Sequence, residues 1–414
     1  MRLIRSDALL RSCVLAGVAA LALAGRLAAD DAGTPNGGVT YTFTHGNSAV
    51  IPCKFILNSP LIQVPTPDKK FVYLLFDTGA NAPMISREFA QKMRIRSGGE
   101  VPAMGIGQEV TLSSVSAGID FSLGGLTFHG AHWIILPSST LEASYGLPVV
   151  GVLGMDLLKD LVVRIDFPTE TIEFLRRSAF QPPSGAVDLP LTPSDEGYLV
   201  EATVQSGTAA ATGHFLIDTG NNGTLELSRR FQDRHPELSF RTFARNGANG
   251  VGGTLLTSEA ICPTLSLGSL NLRDSLVDLD QTAQGVEADI DGIIGNEIWR
   301  RFNLVFDLPD NELYLQRNAH FPEPFSYVTA GINILASGSR YEMLTVHEVL
   351  PGSASQRAGF QKGDVLVALE ELGAAPLTMA NVYPLLHRAG NHHFTVQRGA
   401  QKLPLTLELK NPVR

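Results

Sequence analysis

The sequence is poor in cysteine, tryptophan and charge, and each shortage excludes a class of protein. Its 414 residues include only 3 cysteines, and none has the flanking histidine spacing of a zinc site. Only 2 tryptophans occur, too few for the aromatic platform of a sugar-binding protein. Charged residues make up 18%, the net charge is −9 and no long basic run occurs, which disfavours a nucleic-acid partner. A folded, mildly acidic protein remains.

Long apolar runs are also scarce, and the one near the N-terminus has the layout of a secretory signal peptide. A basic start with Arg2, Arg5 and Arg11 precedes the apolar stretch CVLAGVAALALAG, and small residues follow it. The run is shorter than the ~20 residues of a membrane-spanning helix, so an uncleaved anchor is the less favoured alternative. Residues 1–29 therefore predict a secreted or periplasmic protein with no stable membrane span after cleavage.

Glycine and proline, in contrast, are plentiful, at 40 and 24 residues. Short β-branched and aromatic runs lie between them, which is typical of many short strands joined by turns. The length predicts two to three domains. Signal cleavage would remove Cys13, and the sequence leaves open whether Cys53 and Cys262 form a disulfide.

One tripeptide, Asp-Thr-Gly, occurs twice, and each copy follows an apolar run. It stands in LLFDTGA at Asp77 and in FLIDTGN at Asp218, 141 positions apart. The same interval separates GVLGMDLLKDLVVRIDFP, which begins at Gly151, from GIIGNEIWRRFNLVFDLP, which begins at Gly292. Further matching segments keep their order between these anchors, with the small shifts that loop insertions cause. The chain therefore contains two copies of one sequence unit.

The two copies, over residues 45–178 and 187–318, are each predicted to be mostly β-structure. The runs before Asp-Thr-Gly have strand composition, and the later segments read as hairpins with a proline in each turn. One short helix per copy is expected after a capping serine, Ser86 in the first copy and Ser228 in the second. The predicted fold class is mainly β, with two related, closed or half-closed antiparallel lobes.

The repeated aspartates could act as a pair. If pseudo-twofold symmetry brings Asp77 and Asp218 within a few ångströms, they cannot both ionise and they share one proton. The half-ionised pair holds a general base and a general acid side by side, so one activates water while the other protonates an amide carbonyl. The following threonines could bond across the interface, and the following glycines leave room for backbone and substrate. These supporting residues are Thr78, Gly79, Thr219 and Gly220.

In these motifs the chain resembles the aspartic proteases, over about residues 45–318. The family pattern is an apolar run, Asp-Thr-Gly, and a later pair of hydrophobic residues with glycine, here residues 152–154 and 293–295. The resemblance implies two lobes facing each other across a cleft, with Asp77 and Asp218 as the catalytic residues. It further implies an endopeptidase that hydrolyses protein or peptide substrates without a cofactor or a metal.

The chain departs from the pepsin pattern beside the aspartates and in the flap. Ala80 and Asn221 stand where pepsins carry a hydroxyl residue, and no tyrosine lies between Ala80 and Tyr145. Losing a hydroxyl donor beside Asp77 removes a stabiliser of its charged form, which predicts activity from mildly acidic towards neutral pH. Two glycine-rich segments, AMGIGQE and ANGVGGT, are instead similar to the paired flaps of retropepsins. Their candidate flap residues are Gly105, Ile106, Gly107, Gly250, Val251 and Gly252.

The composition changes after a proline-bearing linker, and residues 327–410 resemble a bacterial PDZ domain. The segment VHEVLPGSASQRAGFQKGDVLVAL predicts a strand, a turn, a short helix at residues 353–358, a Gly-Asp turn and another strand. The resemblance implies a loop that cradles a peptide C-terminus while the next strand adds the peptide to the sheet. An equal alternative is a domain that packs against the protease lobes. The tail is therefore expected either to dock substrates or to regulate the protease. The predicted loop residues are Gly331, Ile332, Asn333 and Ile334.

The main alternative function is a non-catalytic exported protein that binds peptides or serves as a scaffold. A duplicated β fold with a peptide-binding tail could hold polypeptides without cutting them. Loss of one carboxylate would abolish the shared proton, and this chain retains both, which favours the protease.

Overall fold

The computed structural model describes residues 39–68, 70–103, 111–136, 141–250, 253–281 and 290–412. The predicted signal segment, residues 1–29, lies outside them. The described chain is mainly β, as predicted, and its strands form a small sheet, a large closed barrel and a C-terminal sheet. None of the described helices combines the length and the apolar character needed to cross a lipid bilayer.

The first β unit covers residues 40–179. Its strands are β1 (Thr40–Phe43), β2 (Ser48–Ile56), β3 (Ser59–Pro65), β4 (Phe71–Phe76), β5 (Met84–Ser86), β6 (Ser97–Ala103), β7 (Thr111–Ser116), β8 (Ile119–Leu123), β9 (Leu126–Ala131), β10 (Ile134–Leu136), β11 (Val149–Leu153), β12 (Leu161–Asp166) and β13 (Thr171–Arg176), and its helices are α1 (Arg87–Lys92) and α2 (Leu141–Tyr145). β4 runs parallel to β11, and β5 runs antiparallel to β11 and parallel to β10. The apolar run before Asp77 therefore lies beside the run that ends at Gly154.

The second β unit covers residues 187–317 and repeats this pairing. Its strands are β14 (Val187–Pro193), β15 (Tyr198–Ser206), β16 (Ala209–Ile217), β17 (Leu225–Leu227), β18 (Arg241–Gly250), β19 (Gly253–Leu267), β20 (Leu270–Asp280), β21 (Gly292–Ile294), β22 (Phe302–Asp307) and β23 (Glu312–Arg317), and its helices are α3 (Arg229–Arg234) and α4 (Asn296–Trp299). β16 runs parallel to β21, and β17 runs antiparallel to β21 and parallel to β20. β16, β17, β20 and β21 thus correspond to β4, β5, β10 and β11.

Local signals located two of the helices and missed two. α1 and α3 begin where predicted, because Ser86 Oγ accepts the Phe89 N–H and Ser228 Oγ accepts the Phe231 N–H. The expectation of one helix per copy was wrong, since α2 and α4 are additional. Each of these is about one turn long, too short for a 3.6-residue periodicity to be visible in the sequence.

The two predicted hairpins join the β units. β12 with β13 and β22 with β23 pair antiparallel, and β12 also pairs with β22, so that Arg164 lies opposite Val305. β2 and β14 extend this sheet at its two sides, in the order β2-β13-β12-β22-β23-β14. Buried side chains from both units, including Phe174 and Phe306, form one hydrophobic cluster behind the sheet. The units are therefore fixed to one another through strand pairing and a shared core.

The C-terminal sheet follows the second β unit. Its elements are β24 (Ile332–Ser337), β25 (Met343–Val349), α5 (Ala354–Ala358), β26 (Val365–Leu369), α6 (Met379–Leu386), β27 (Gly390–Arg398) and β28 (Gln401–Leu409). The strands pair in sequence order, which leaves β24 at one edge. The helix predicted near Ser353 is present, and α6 begins with a capping box between Thr378 and Asn381. The likeness of this sheet to PDZ domains stays a prediction.

The C-terminal sheet packs on the first β unit. One hydrophobic cluster contains buried residues of both, among them Leu75 and Tyr145 from the first unit and Ile334 and Met379 from the sheet. Apolar contact of this kind keeps water out of both surfaces, so the sheet is packed on the first unit and is not a separate tethered module in this structure.

The two described cysteines do not pair. Cys53 and Cys262 are both buried free thiols. Burial is the main cause that raises the pKa of Cys53 to about 12 and that of Cys262 to about 11. Neither thiol has the exposed, electropositive surroundings of a reactive cysteine.

Candidate active site

The two Asp-Thr-Gly loops lie against each other. Asp77 follows β4 and Asp218 follows β16, and both side chains are fully buried, at 0% exposure. A Cβ atom placed on Gly79 would lie 2.7 Å from Cγ of Asp218, and one on Gly220 would lie 2.5 Å from Cγ of Asp77. Each glycine therefore faces the carboxyl group of the opposite loop at a distance that no side chain could fit.

Thr78 and Thr219 lock the loops together with reciprocal hydrogen bonds. The backbone N–H of each threonine donates to Oγ1 of the other, at 3.0 Å in both directions. The hydroxyl of Thr78 donates to the Ile217 carbonyl at 2.6 Å, and that of Thr219 donates to the Phe76 carbonyl at 2.8 Å. Every one of these groups is buried, so the bonds form where an unpaired polar atom would be costly.

The backbone supports the two carboxyl groups unequally. Oδ1 of Asp77 accepts one N–H, from Gly79 at 2.9 Å. Oδ1 of Asp218 accepts two, from Gly220 at 2.8 Å and from Asn221 at 2.9 Å. Since backbone donors stabilise the ionised form, Asp218 is the better site for the negative charge.

The surroundings raise the pKa of both carboxyl groups, chiefly through burial. For Asp77, the charge of the neighbouring Asp218 and the capacity of that carboxyl to hydrogen-bond raise the pKa further, while the N–H groups of Gly79 and Gly220 lower it. For Asp218, the Asp77 carboxyl and the N–H groups of Asn221 and Gly220 lower the pKa. These causes favour the proton on Asp77 and the negative charge on Asp218.

The Asn221 side chain stabilises its own loop, and the residue binds the Asp218 carboxyl through its backbone N–H. It stands where pepsins carry a hydroxyl residue, but its side-chain oxygen accepts the N–H of Gly223 at 2.7 Å. This is an Asx-type turn, which fixes the backbone of the loop. In the other copy Ala80 has no polar atom to offer, and its N–H donates to the Asp77 carbonyl at 3.3 Å.

The loops that follow β11 and β21 support the two Asp-Thr-Gly loops from behind. A Cβ atom on Gly154 would lie 2.6 Å from the Ala82 carbonyl oxygen, so only glycine fits there. In the second unit, the buried Asn296 donates through its side-chain nitrogen to the Thr219 carbonyl. Asn296 was not predicted, and its only signal in the sequence is that it follows IIG where the first copy has Met155.

The candidate flaps are only partly within the described residues. β18 and β19 pair from Arg241 opposite Ile261 to Gly250 opposite Gly253, so Gly250 ends a long hairpin arm. β6 and β7 pair up to Ala103 opposite Thr111. The other five candidates, Gly105, Ile106, Gly107, Val251 and Gly252, lie outside the described residues.

A row of acidic residues near Asp218 was not predicted. Glu226 lies beside Asp278, which in turn lies opposite Glu259. Glu226 is buried, and burial followed by the charges of Asp278, Asp280 and Asp218 raises its pKa well above the usual range. In the first unit the corresponding position is the apolar Met84, which pairs with β11 as Glu226 pairs with β21. In β17, the apolar-polar-apolar order of residues 225–227 is typical of a strand whose polar side chain is exposed, so the sequence does not indicate that Glu226 is buried.

The predicted PDZ loop lies at the start of β24. Gly331 has a φ of +64° and its carbonyl accepts the Leu350 N–H at 2.9 Å. Ile332 and Asn333 pair with Val349 and Glu348 of β25. These residues form the end of a hairpin, and their binding of a peptide C-terminus stays a prediction.

The paired loops agree with the comparison with known proteins. Residues 66–157 match a family model for aspartyl proteases. The matched stretch contains Asp77, its loop and the supporting loop that ends at Gly154. This similarity supports a protease hydrolase that acts on peptides.

Three solved structures are similar to the chain at low identity. The aspartic proteinase from Irpex lacteus has a TM-score of 0.42 and 13% identity, over 67% of this chain and 99% of that one. Basic 7S globulin from soybean has a TM-score of 0.40 and 12% identity, over 67% and 97%. Conglutin gamma, a basic 7S globulin from lupine seeds, has a TM-score of 0.39 and 15% identity, over 66% and 96%. No curated protein matches the chain.

Proposed function

We propose that the protein is an exported aspartic endopeptidase that hydrolyses peptide bonds with a water activated between Asp77 and Asp218. The observation that carries this proposal is the meeting of the two buried carboxyl groups on loops interlocked by Thr78 and Thr219. Export rests on the predicted signal segment, residues 1–29. The proposed substrates are proteins or peptides, and the proposed chemistry uses no cofactor.

The asymmetry of the pair assigns the two roles. Asp218, as the carboxylate, takes a proton from water while the water oxygen attacks the amide carbonyl carbon. Asp77, which holds the proton, gives it to the carbonyl oxygen, so that a neutral tetrahedral diol forms. The proton now on Asp218 then passes to the amide nitrogen, the C–N bond breaks, and Asp77 regains a proton from the diol. The facing glycines allow each loop to approach the carboxyl group of the other, which keeps the two acids side by side.

Two isosteric substitutions test the proposal. The parent is expected to cleave an unstructured protein such as casein, and Asp77→Asn and Asp218→Asn are each expected to abolish cleavage. Asp188→Asn, at an exposed position on β14, is the matched control and should cleave normally. Cleavage that persists in either active-site variant contradicts the assignment. No cleavage by the parent would favour the alternative, a non-catalytic exported peptide-binding protein.

We further propose that the C-terminal sheet is a PDZ-like domain that serves this activity. Two roles were left open by its sequence: capture of peptide C-termini at residues 331–334, and regulation through packing on the catalytic units. The contacts of α6 and β24 with the first β unit support regulation.

A further inference from the structure

The groove between β24 and α6 is filled by a segment of the first β unit. α2 packs against both elements. A Cβ atom on Gly146, just after α2, would lie 3.1 Å from Cγ of Met379 on α6 and 3.3 Å from Cβ of Ala336 on β24. Gly146 has a φ of +63°, and its N–H donates to the Glu142 carbonyl at 2.9 Å. The end of α2 is therefore wedged between the edge strand and the helix.

This groove is also where an added peptide strand would lie. β24 is an edge strand, and β25 is its neighbour in the sheet order of the described residues. A peptide that extends the sheet would run along the free edge of β24, beside α6. Leu141 and Tyr145 of α2 share one hydrophobic cluster with Ile334, Ala336 and Met379, and a hydrogen bond joins Glu142 to Tyr341 of the sheet. A peptide and α2 cannot occupy the groove together.

The same contacts reach the catalytic pair. Tyr145 on α2 is buried in the same hydrophobic cluster as Leu75 and Ala80, which flank Asp77 in the chain. After burial itself, the charges of Asp77 and Asp218 contribute to the raised pKa of Tyr145. On the other side of the groove, the Tyr383 hydroxyl of α6 accepts a hydrogen bond from Nδ2 of Asn222 at 3.2 Å. Asn222 belongs to the loop that carries Asp218. α6 thus contacts the first unit through Met379 and the second unit beside its catalytic loop.

We propose that the C-terminal sheet is an internal clamp whose groove holds the segment from Leu141 to Gly146 of the same chain. A peptide that enters the groove must displace α2, and release of α2 loosens the cleft around the buried aspartates. Peptide capture and catalysis are then coupled, because each changes the population of the clamped state. The clamped state is the less active one, since it holds the first unit, which carries Asp77, against the C-terminal sheet. The effect on catalysis rests on the proposed protease function.

A disulfide across the groove tests the clamp in the full-length chain. The Cβ position of residue 146 lies 3.5 Å from Cβ of Met379, within the roughly 3.5–4.5 Å range of disulfides. The double variant Gly146→Cys, Met379→Cys is expected to crosslink on oxidation without denaturant, as peptide mapping would show. Its oxidised form should cleave casein about tenfold more slowly than its reduced form, a change typical of coupled sites. Each single-cysteine variant is the control and should respond to neither oxidation nor reduction.

Hydrogen exchange separates the clamp from the protease assignment. Exchange in residues 71–80, which include Asp77, should be slower in the oxidised form than in the reduced form, whether or not either form cleaves casein. Because residue 146 has a positive φ, Met379→Ala provides a second variant that leaves this backbone unchanged, and it should speed both exchange and cleavage.

Failure to crosslink, equal exchange in the two redox forms, or an unchanged Met379→Ala variant would overturn the clamp. Equal cleavage rates in the two redox forms would overturn its effect on catalysis. Absence of cleavage in every form, with exchange still changed, would contradict the protease assignment alone.

Discussion

The hydroxyl groups of Thr78 and Thr219 each make two hydrogen bonds, one as donor and one as acceptor. This double use requires a hydroxyl at the position and explains why a threonine follows the aspartate in both copies. A side chain of the same shape without the oxygen would leave one N–H and one carbonyl unpaired in a buried interface.

Thr219→Val is therefore expected to lower the free energy of unfolding by roughly 2–4 kcal/mol, the cost of two buried polar groups left unpaired. Thr219→Ser keeps the hydroxyl and should lose less than half of that. Urea unfolding of both variants beside the parent checks the prediction. Equal losses for valine and serine would show that the methyl group, and not the hydroxyl, stabilises the interface.

In the proposed mechanism, the raised pKa of Asp218 sets the acid limit of cleavage. Since the base must be ionised, cleavage falls as pH drops through its pKa, and that pKa lies above the ordinary aspartate range because the group is buried. We expect kcat/KM to be highest from mildly acidic towards neutral pH, measured from pH 3 to 8. A maximum confined to strongly acidic pH would contradict this.

Ala80→Ser provides the matched variant for this profile. A hydroxyl donor beside Asp77 would stabilise the charged pair, so the acid limb of the profile should move to lower pH. An unmoved limb would show that the missing hydroxyl does not set the pH range.

At the scale of single elements, the short strand β17 places Glu226 in a buried acidic row. Its pKa is raised in the folded state, so its contribution to stability is present below the unfolded pKa and is lost as pH rises through the folded pKa. Glu226→Gln should therefore lose less stability than the parent between pH 5 and pH 8, measured by urea unfolding. Glu201→Gln, at an exposed position on β15, is the control and should behave like the parent. A parent that gains stability over this range would contradict the assignment.

The elements also show which features a sequence can predict. α1, α3 and the hairpins of the central sheet were predicted because capping serines, turn prolines and alternating runs are local signals. The meeting of Asp77 and Asp218 was predicted because the repeat implies symmetry. α2, Asn296 and the filled groove were not, since each depends on contacts between residues far apart in the chain, and one turn of helix has no periodicity to detect.

At the scale of the whole molecule, two hydrophobic clusters connect three parts. One cluster spans the two β units behind the central sheet, and the other spans the first unit and the C-terminal sheet. The buried Arg301 fixes the connection between them, because its guanidinium reaches Oε1 of Glu297 at 3.1 Å and the carbonyl of Glu323 in the following segment. Such pairing of a buried cation orders the chain that leads into the C-terminal sheet.

This connectivity makes the proposed catalytic pair a property of the whole chain. The first unit supplies Asp77, the second supplies Asp218, and the C-terminal sheet contacts both units beside these loops. A substitution at the groove should therefore affect the aspartate pair, and a substitution at one aspartate should affect the other.

The most direct test of the shared pair is a double-mutant cycle on casein cleavage. kcat/KM would be compared for the parent, Asp77→Asn, Asp218→Asn and the double variant. Two groups that act as one unit predict that each single substitution removes as much activity as the double substitution does. Losses that add on a logarithmic scale would mean that the aspartates act independently, and the account of a proton shared between them would be wrong.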